Sequence, residues 1–189
     1  MDSLGIEPVI KSEESNVFND YVPIVGKGNH YDVYLTNTIS YPEYYTELVD
    51  LLSNLDNYHT VTLHINNGGG SIDSAFMIRD AIHSCDAEVT AKVYGTVASA
   101  ATVITVSCDE LITSRFLSFM IHNYSTGMQG KGHELKAYQN FTDRELNRAF
   151  KEIYNGFLSA AEMDEVIEGR DIWLSEDEVE DRWKQMKGE

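Results

Sequence analysis

The 189-residue chain is poor in cysteine, proline and positive charge. Its two cysteines, Cys85 and Cys108, match neither a Cys-x-x-Cys metal site nor the even, dense pattern of a disulfide scaffold. Three prolines and 13 glycines are too few for a low-complexity or collagen-like chain. No apolar run approaches the roughly 20 residues of a membrane-crossing helix. Lys and Arg number 14 against 31 Asp and Glu, a formal charge of −17. A field of that sign repels phosphate backbones and argues against nucleic acid as a partner. The opening stretch Met1 to Glu7 shows neither the basic nor the apolar region of a secretory signal, so the expectation is a cytoplasmic protein with reduced thiols. What the chain does have is 42% hydrophobic and 11% aromatic residues, enough for one well-packed core.

Residues 1–28 carry Glu7, Glu13, Glu14 and Asp20 without an apolar period and read as an irregular leader, with a single folded domain over 29–189. From His30 onward, strand-length apolar runs alternate with helical patterns. Tyr31 to Leu35, Val61 to Ile65 and Glu88 to Tyr94 read as strands. Helices through Leu48 and Leu52, and through Ala75, Ile78 and Ile82, fall between them. This is the rhythm of an α/β fold with right-handed crossovers. A short buried helix over Ser99 to Val106 and strands at Glu110–Thr113 and Phe119–His122 continue it. Residues 134–157 place Leu135, Tyr138, Leu146, Phe150, Ile153 and Phe157 at steps near three and four, which predicts a long amphipathic helix. Its apolar side needs a cover, supplied either by the chain's own core or by another subunit. Beyond Ala160 the acidic residues are so dense that most must form a solvated face.

Three segments can carry chemistry. Ile65-Asn66-Asn67-Gly68-Gly69-Gly70-Ser71 runs from a strand end through three glycines to a helix whose N-cap is Ser71. Such a turn can aim backbone N–H groups at a ligand, although neither Gly-x-Gly-x-x-Gly nor the Gly-Lys-Ser/Thr ending of a nucleotide loop is present. In Gly95-Thr96-Val97-Ala98-Ser99-Ala100-Ala101, Ser99 lies at a strand-to-helix junction among very small side chains. It is either a plain N-cap or a nucleophile with room for a carbonyl beside it. In Met120-Ile121-His122-Asn123, an imidazole stands at the polar end of an apolar strand, in reach of such a serine as a general base. The histidines show no His-x-x-x-His spacing, so neither a metal nor any other cofactor is implied.

In combination, Asn-x-Gly-Gly-Gly-Ser, Gly-x-x-Ala-Ser-Ala-Ala and Met-Ile-His resemble the proteolytic subunit of the Clp protease, over about His30 to Glu178. Trp173-Leu174-Ser175 resembles the family's aromatic-Leu-Ser element. The resemblance implies a crotonase-like α/β layered fold built from repeated ββα units, with a protruding handle helix over about 134–157. It implies serine endopeptidase chemistry with Ser99 as nucleophile, His122 as base, and the N–H groups of Gly69 and Ala100 as the oxyanion hole. Gly127, Met128, Gln129 and Gly130 would bind an extended peptide by strand addition. It further implies a homo-oligomer of stacked, heptameric rings acting on unfolded protein delivered by an ATP-driven unfoldase hexamer.

For the triad acid, Asp171 is the first choice. Counting back from Ser175 without a gap puts the family's aspartate near Ile167, and small gaps admit Glu168, Glu165 or Asp164. The chain departs from the family at Gly68, where proline is usual, at Ala100, where methionine is usual, and in lacking the C-terminal Gly-Leu-Val/Ile-Asp strand. Two other readings compete: a crotonase-type thioester hydratase or isomerase, and an idle subunit retained for structure or regulation.

Overall fold

A computed structural model describes residues 22–188. Seven strands form one sheet, in the order β1 (Ile24–Lys27), β2 (His30–Leu35), β3 (Thr60–Asn67), β4 (Glu88–Ala98), β6 (Ser118–Ile121) and β7 (Ile172–Ser175), with β5 (Glu110–Ile112) pairing the first half of β4. Strands β2 to β6 pair in parallel, as crossover connections require, while β1 and β7 close the two edges antiparallel. The helices are α1 (Thr46–Asn54), α2 (Ile72–His83), α3 (Ala100–Val106), α4 (Gly132–Ile153), α5 (Ala160–Ile167) and α6 (Glu176–Lys187). The mixed α/β architecture is the fold class expected from the sequence.

The sheet has two unlike faces. Odd-numbered residues of the central strands, among them Val33, Leu63, Ala91 and Val93, are fully buried in a continuous apolar cluster with Leu48, Leu52, Ile78 and Ile104 from the helices. Even-numbered residues project the other way and are partly polar, as the two-residue period of a strand dictates. On that face the Asp32 carboxylate gathers three strands. It accepts from Lys27 Nζ at 3.0 Å and His64 Nε2 at 2.8 Å, with His30 Nε2 at 3.4 Å, and the His64 ring stacks on Tyr34. Burial alone would raise the Asp32 pKa; the bonds from His64, Lys27 and His30 together outweigh it and hold the carboxyl down at about 2.

Two sequence expectations are corrected. The leader anticipated over 1–28 does not stay irregular to its end, because Ile24–Lys27 is a strand paired in register with His30–Val33; residues 1–21 lie outside those described. Strand β4 is also longer than Glu88–Tyr94. It continues through a bulge opposite Ile65–Asn67 to Ala98, and this delivers the chain directly to Ser99.

Candidate active site

Ser99 has φ 56° and ψ −130°, the one positive φ among the described non-glycine residues. For a residue with a Cβ this conformation costs about 1–3 kcal/mol, so its surroundings must enforce it. They do so from both sides: Ser99 N–H donates to Met120 C=O on β6 at 2.9 Å, and Ser99 C=O accepts from Thr102 N–H at 2.9 Å. Thr102 Oγ1 also donates to Ser99 C=O at 2.6 Å and pairs with the buried Tyr154 hydroxyl at 2.7 Å. The Ser99 hydroxyl makes no capping bond to α3. It lies 2.7 Å from His122 Nε2 instead, which favours the nucleophile over the N-cap among the two readings of this serine.

His122 reaches that position from the first residue beyond β6, whose register pairs Ala98 with Met120. Strand pairing therefore sets the spacing of serine and imidazole. The Gly-rich turn closes on the same point. A Cβ at Gly69 would lie 2.6 Å from Ser99 Cβ and 2.7 Å from Ala98 C=O, and one at Gly70 would lie 2.1 Å from Ile39 C=O. Only residues without side chains allow this approach, and both have positive φ, 95° and 144°. Ser71 caps α2 as expected, accepting from Ser74 N–H.

The backbone donors differ in part from the expectation. Gly69 N–H is already committed to the buried Asn67 side chain, Oδ1 at 2.8 Å, and Gly69 does not line the cleft. Gly70 does line it, together with Ser99, Ala100 and His122. Among the described residues, no acceptor is bonded to the N–H of Gly70 or Ala100. The third glycine of Gly68-Gly69-Gly70 was the available sequence signal, but which donor is spent depends on the Asn67 rotamer.

The cleft holds about 530 Å³. Ile72, Phe76, Val103, Leu146, Phe150 and Tyr154 form an apolar wall, Asp73 and Glu145 are the carboxylates along it, and among the described residues no lysine or arginine lines it. Its other side is Tyr124, Ser125 and Thr126. Gly127, Met128, Gln129 and Gly130 follow in an exposed segment outside any strand and do not line the cleft.

Asp171 is not brought to the serine–histidine pair. It is exposed on the approach to β7. Asp164 pairs with Lys151 at 3.9 Å, Glu165 pairs with Arg170 at 3.0 Å, and Glu168 is exposed. Among the described residues, no carboxylate is hydrogen-bonded to His122. The described residues also contain no cluster of His, Cys, Asp and Glu suited to a metal ion, and no helix long and apolar enough to cross a membrane.

Helix α4 begins at Gly132 and ends at Ile153, earlier at both ends than the sequence pattern, with Phe157 packing in the core beyond it, 5.7 Å from the Phe119 ring. Only its C-terminal half is covered, by way of Leu146 and Phe150; Tyr138 and Phe141 are each 56% exposed.

A strained serine at a strand-to-helix turn, an imidazole just beyond the end of the adjacent strand and a Gly-rich turn packed against both are set in a mixed α/β protein. The model of the Clp protease family matches residues 30–181, and the chain belongs to that family. It is 29% identical over 139 residues to the ATP-dependent Clp protease proteolytic subunit 2 of Borreliella burgdorferi, covering 69% of this chain and 67% of that protein. It is 31% identical over 125 residues to proteolytic subunit 1 of Chlamydia caviae, covering 62% and 63%. The chain thus spans about two thirds of the length of these relatives. Family and relatives support a peptidase of the Clp type.

Proposed function

We propose that the protein is a serine endopeptidase subunit that cleaves peptide bonds by acyl transfer. The observation that carries the reading is the 2.7 Å contact between Ser99 Oγ and His122 Nε2 on a backbone turn held against its own preference. His122 takes the hydroxyl proton as Ser99 Oγ bonds to the scissile carbonyl carbon, and the carbonyl oxygen becomes an oxyanion. The free N–H groups of Gly70 and Ala100 are the donors for that charge, in place of the Gly69 and Ala100 pair. His122 then returns the proton to the leaving amine, and water resolves the acyl-enzyme by the same route in reverse. The apolar wall from Ile72 to Tyr154 receives a substrate side chain, while the exposed backbone of Gly127 to Gly130 is free to pair with an extended peptide running out of the cleft.

The test is labelling of the full-length protein with a fluorophosphonate, the modified residue being located by peptide mass spectrometry. Labelling at Ser99 that disappears in His122→Ala is expected, and Ser99→Ala should lose peptide turnover by several orders of magnitude. Asp171→Asn should label at the wild-type rate. That no described carboxylate is bonded to His122 gives the idle-subunit reading its one support, and a folded wild-type protein that does not label would favour it over acyl transfer. The hydratase reading has less, since an acyl carrier bearing phosphates meets no cationic side chain along the cleft.

Like its relatives' names, the exposed aromatic stripe of α4 favours assembly. Stacked homo-oligomeric rings joined through α4, fed with unfolded chains by an ATP-driven partner in the cytoplasm, are the arrangement that gives this surface a cover.

A further inference from the structure

On the acyl-transfer reading the imidazole must be held on Ser99, and among the described residues no carboxylate is bonded to it. The residue after His122 spends both ends of its side chain on backbone. Asn123 Oδ1 accepts from Tyr124 N–H at 2.8 Å, and Asn123 Nδ2 donates to Ile167 C=O at 3.0 Å. Ile167 is the last residue of α5, where helical carbonyls lack intrahelical partners. Those before it are satisfied within the turn that ends the helix: Asp164 C=O by Glu168 N–H, Val166 C=O by Gly169 N–H, and Glu165 C=O by Arg170 N–H. The Ile167 carbonyl is satisfied by Asn123. Tyr124 adds a second anchor, its hydroxyl donating to Asp143 on α4. The two residues that leave the imidazole are thereby tied to two different helices.

We propose that Asn123 is the positioning residue for His122, fixing the backbone from which the ring reaches Ser99 through its bond to the Ile167 carbonyl, instead of a carboxylate fixing the ring itself. The bond runs in the same sense as an acid–imidazole pair, with different groups at both ends. The helix end provides the acceptor, and the side chain beside the histidine provides the donor. A negative charge at residue 123 would be the wrong replacement, because it would face a carbonyl oxygen at a helix C-terminus.

The experiment is fluorophosphonate inactivation of the full-length protein followed over a range of probe concentrations, so that kinact and KI separate. Asn123→Ala and Asn123→Asp are compared with wild type, each checked by thermal melting. Asn123→Asp keeps the size of the side chain and the acceptor for Tyr124 and replaces the Nδ2 donor by a charged acceptor, so it answers the question even where the alanine variant is poorly folded. A fall in kinact of about ten- to hundredfold at unchanged KI is expected for both, the size that follows from a misplacement of about 1 Å. Wild-type kinact in Asn123→Asp overturns the proposal, as does an effect confined to KI. A folded wild-type protein with no labelling removes the acyl-transfer reading and this proposal together, whereas normal wild-type labelling with an indifferent Asn123 removes this proposal alone.

Discussion

At the residue scale the candidate site depends on conformations that side chains resist. Ser99 is forced into positive φ by bonds to Met120 and Thr102, and the approach of Gly69 to Ser99 Cβ leaves no room for a methyl group. Gly69→Ala should therefore destabilise the protein by roughly 1–3 kcal/mol and abolish labelling of Ser99, measured by urea denaturation and by the probe. Tyr124→Phe removes the hydroxyl that donates to Asp143; a loss of about 1 kcal/mol and a lower labelling rate are expected from the same two measurements. Much of this site was legible in the chain. Ser99 and His122 were identifiable from Gly-x-x-Ala-Ser-Ala-Ala and Met-Ile-His because small neighbours and strand-end polarity are local properties. The acid was not, and the reason is physical: of Asp164, Glu165, Glu168 and Asp171, two are paired with Lys151 and Arg170 and two face solvent, and no rule of spacing reveals which way a surface carboxylate turns. Likewise a string of glycines does not show which N–H is already bonded to Asn67.

Among the elements, α5 and α6 show how a highly acidic segment can still be structural. Ser159 with Glu162 and Ser175 with Glu178 form capping boxes that start the two helices. Val179 and Trp183, four residues apart on α6, are buried against the sheet side, and the run read as a solvated face thus has a core face two side chains wide. With only three apolar residues in twelve, Val179, Trp183 and Met186, the 3.6-residue period is thin against the acidic background. Arg182 forks onto Glu162 at 2.6 and 3.0 Å and joins α6 to α5. These bonds, against the opposing effect of burial and with help from Ser159, hold the Glu162 carboxyl down at about 2. A depressed carboxylate contributes stability that is complete above its ordinary pKa near 4.3 and is lost as pH falls from there through about 2. Glu162→Gln should thus cost on the order of 2 kcal/mol at pH 7, and the gap from wild type should close on acidification, as read by denaturant unfolding at pH 7 and pH 3. Equal gaps at both values would mean the amide loses only packing, with charge playing no part.

For the whole molecule, the long helix is decisive. Leu146 and Phe150 anchor α4 to the core, while Tyr138 and Phe141, half a helix earlier, remain open beside the cleft. If that stripe is a subunit contact, Phe141→Glu should shift the protein to a smaller species in sedimentation velocity without unfolding it, and an unchanged mass would place the contact elsewhere. The charge of −17 makes such assembly salt-dependent, since like-charged subunits approach more easily when screened. By itself the sequence determined the alternation of strand and helix, the strand-to-helix turns at Gly69 and Ser99, the Ser71 cap and the candidacy of Ser99 and His122, because each depends on periodicity or on conformations that only particular residues adopt. Only the tertiary structure decided that β4 runs on to Ala98, that the Gly69 N–H is spent on Asn67, and that Asn123, beside His122, bonds the Ile167 carbonyl. Those outcomes depend on which groups meet across β6, α5 and the Gly-rich turn, and residues 44 positions apart share a hydrogen bond there that no local pattern encodes.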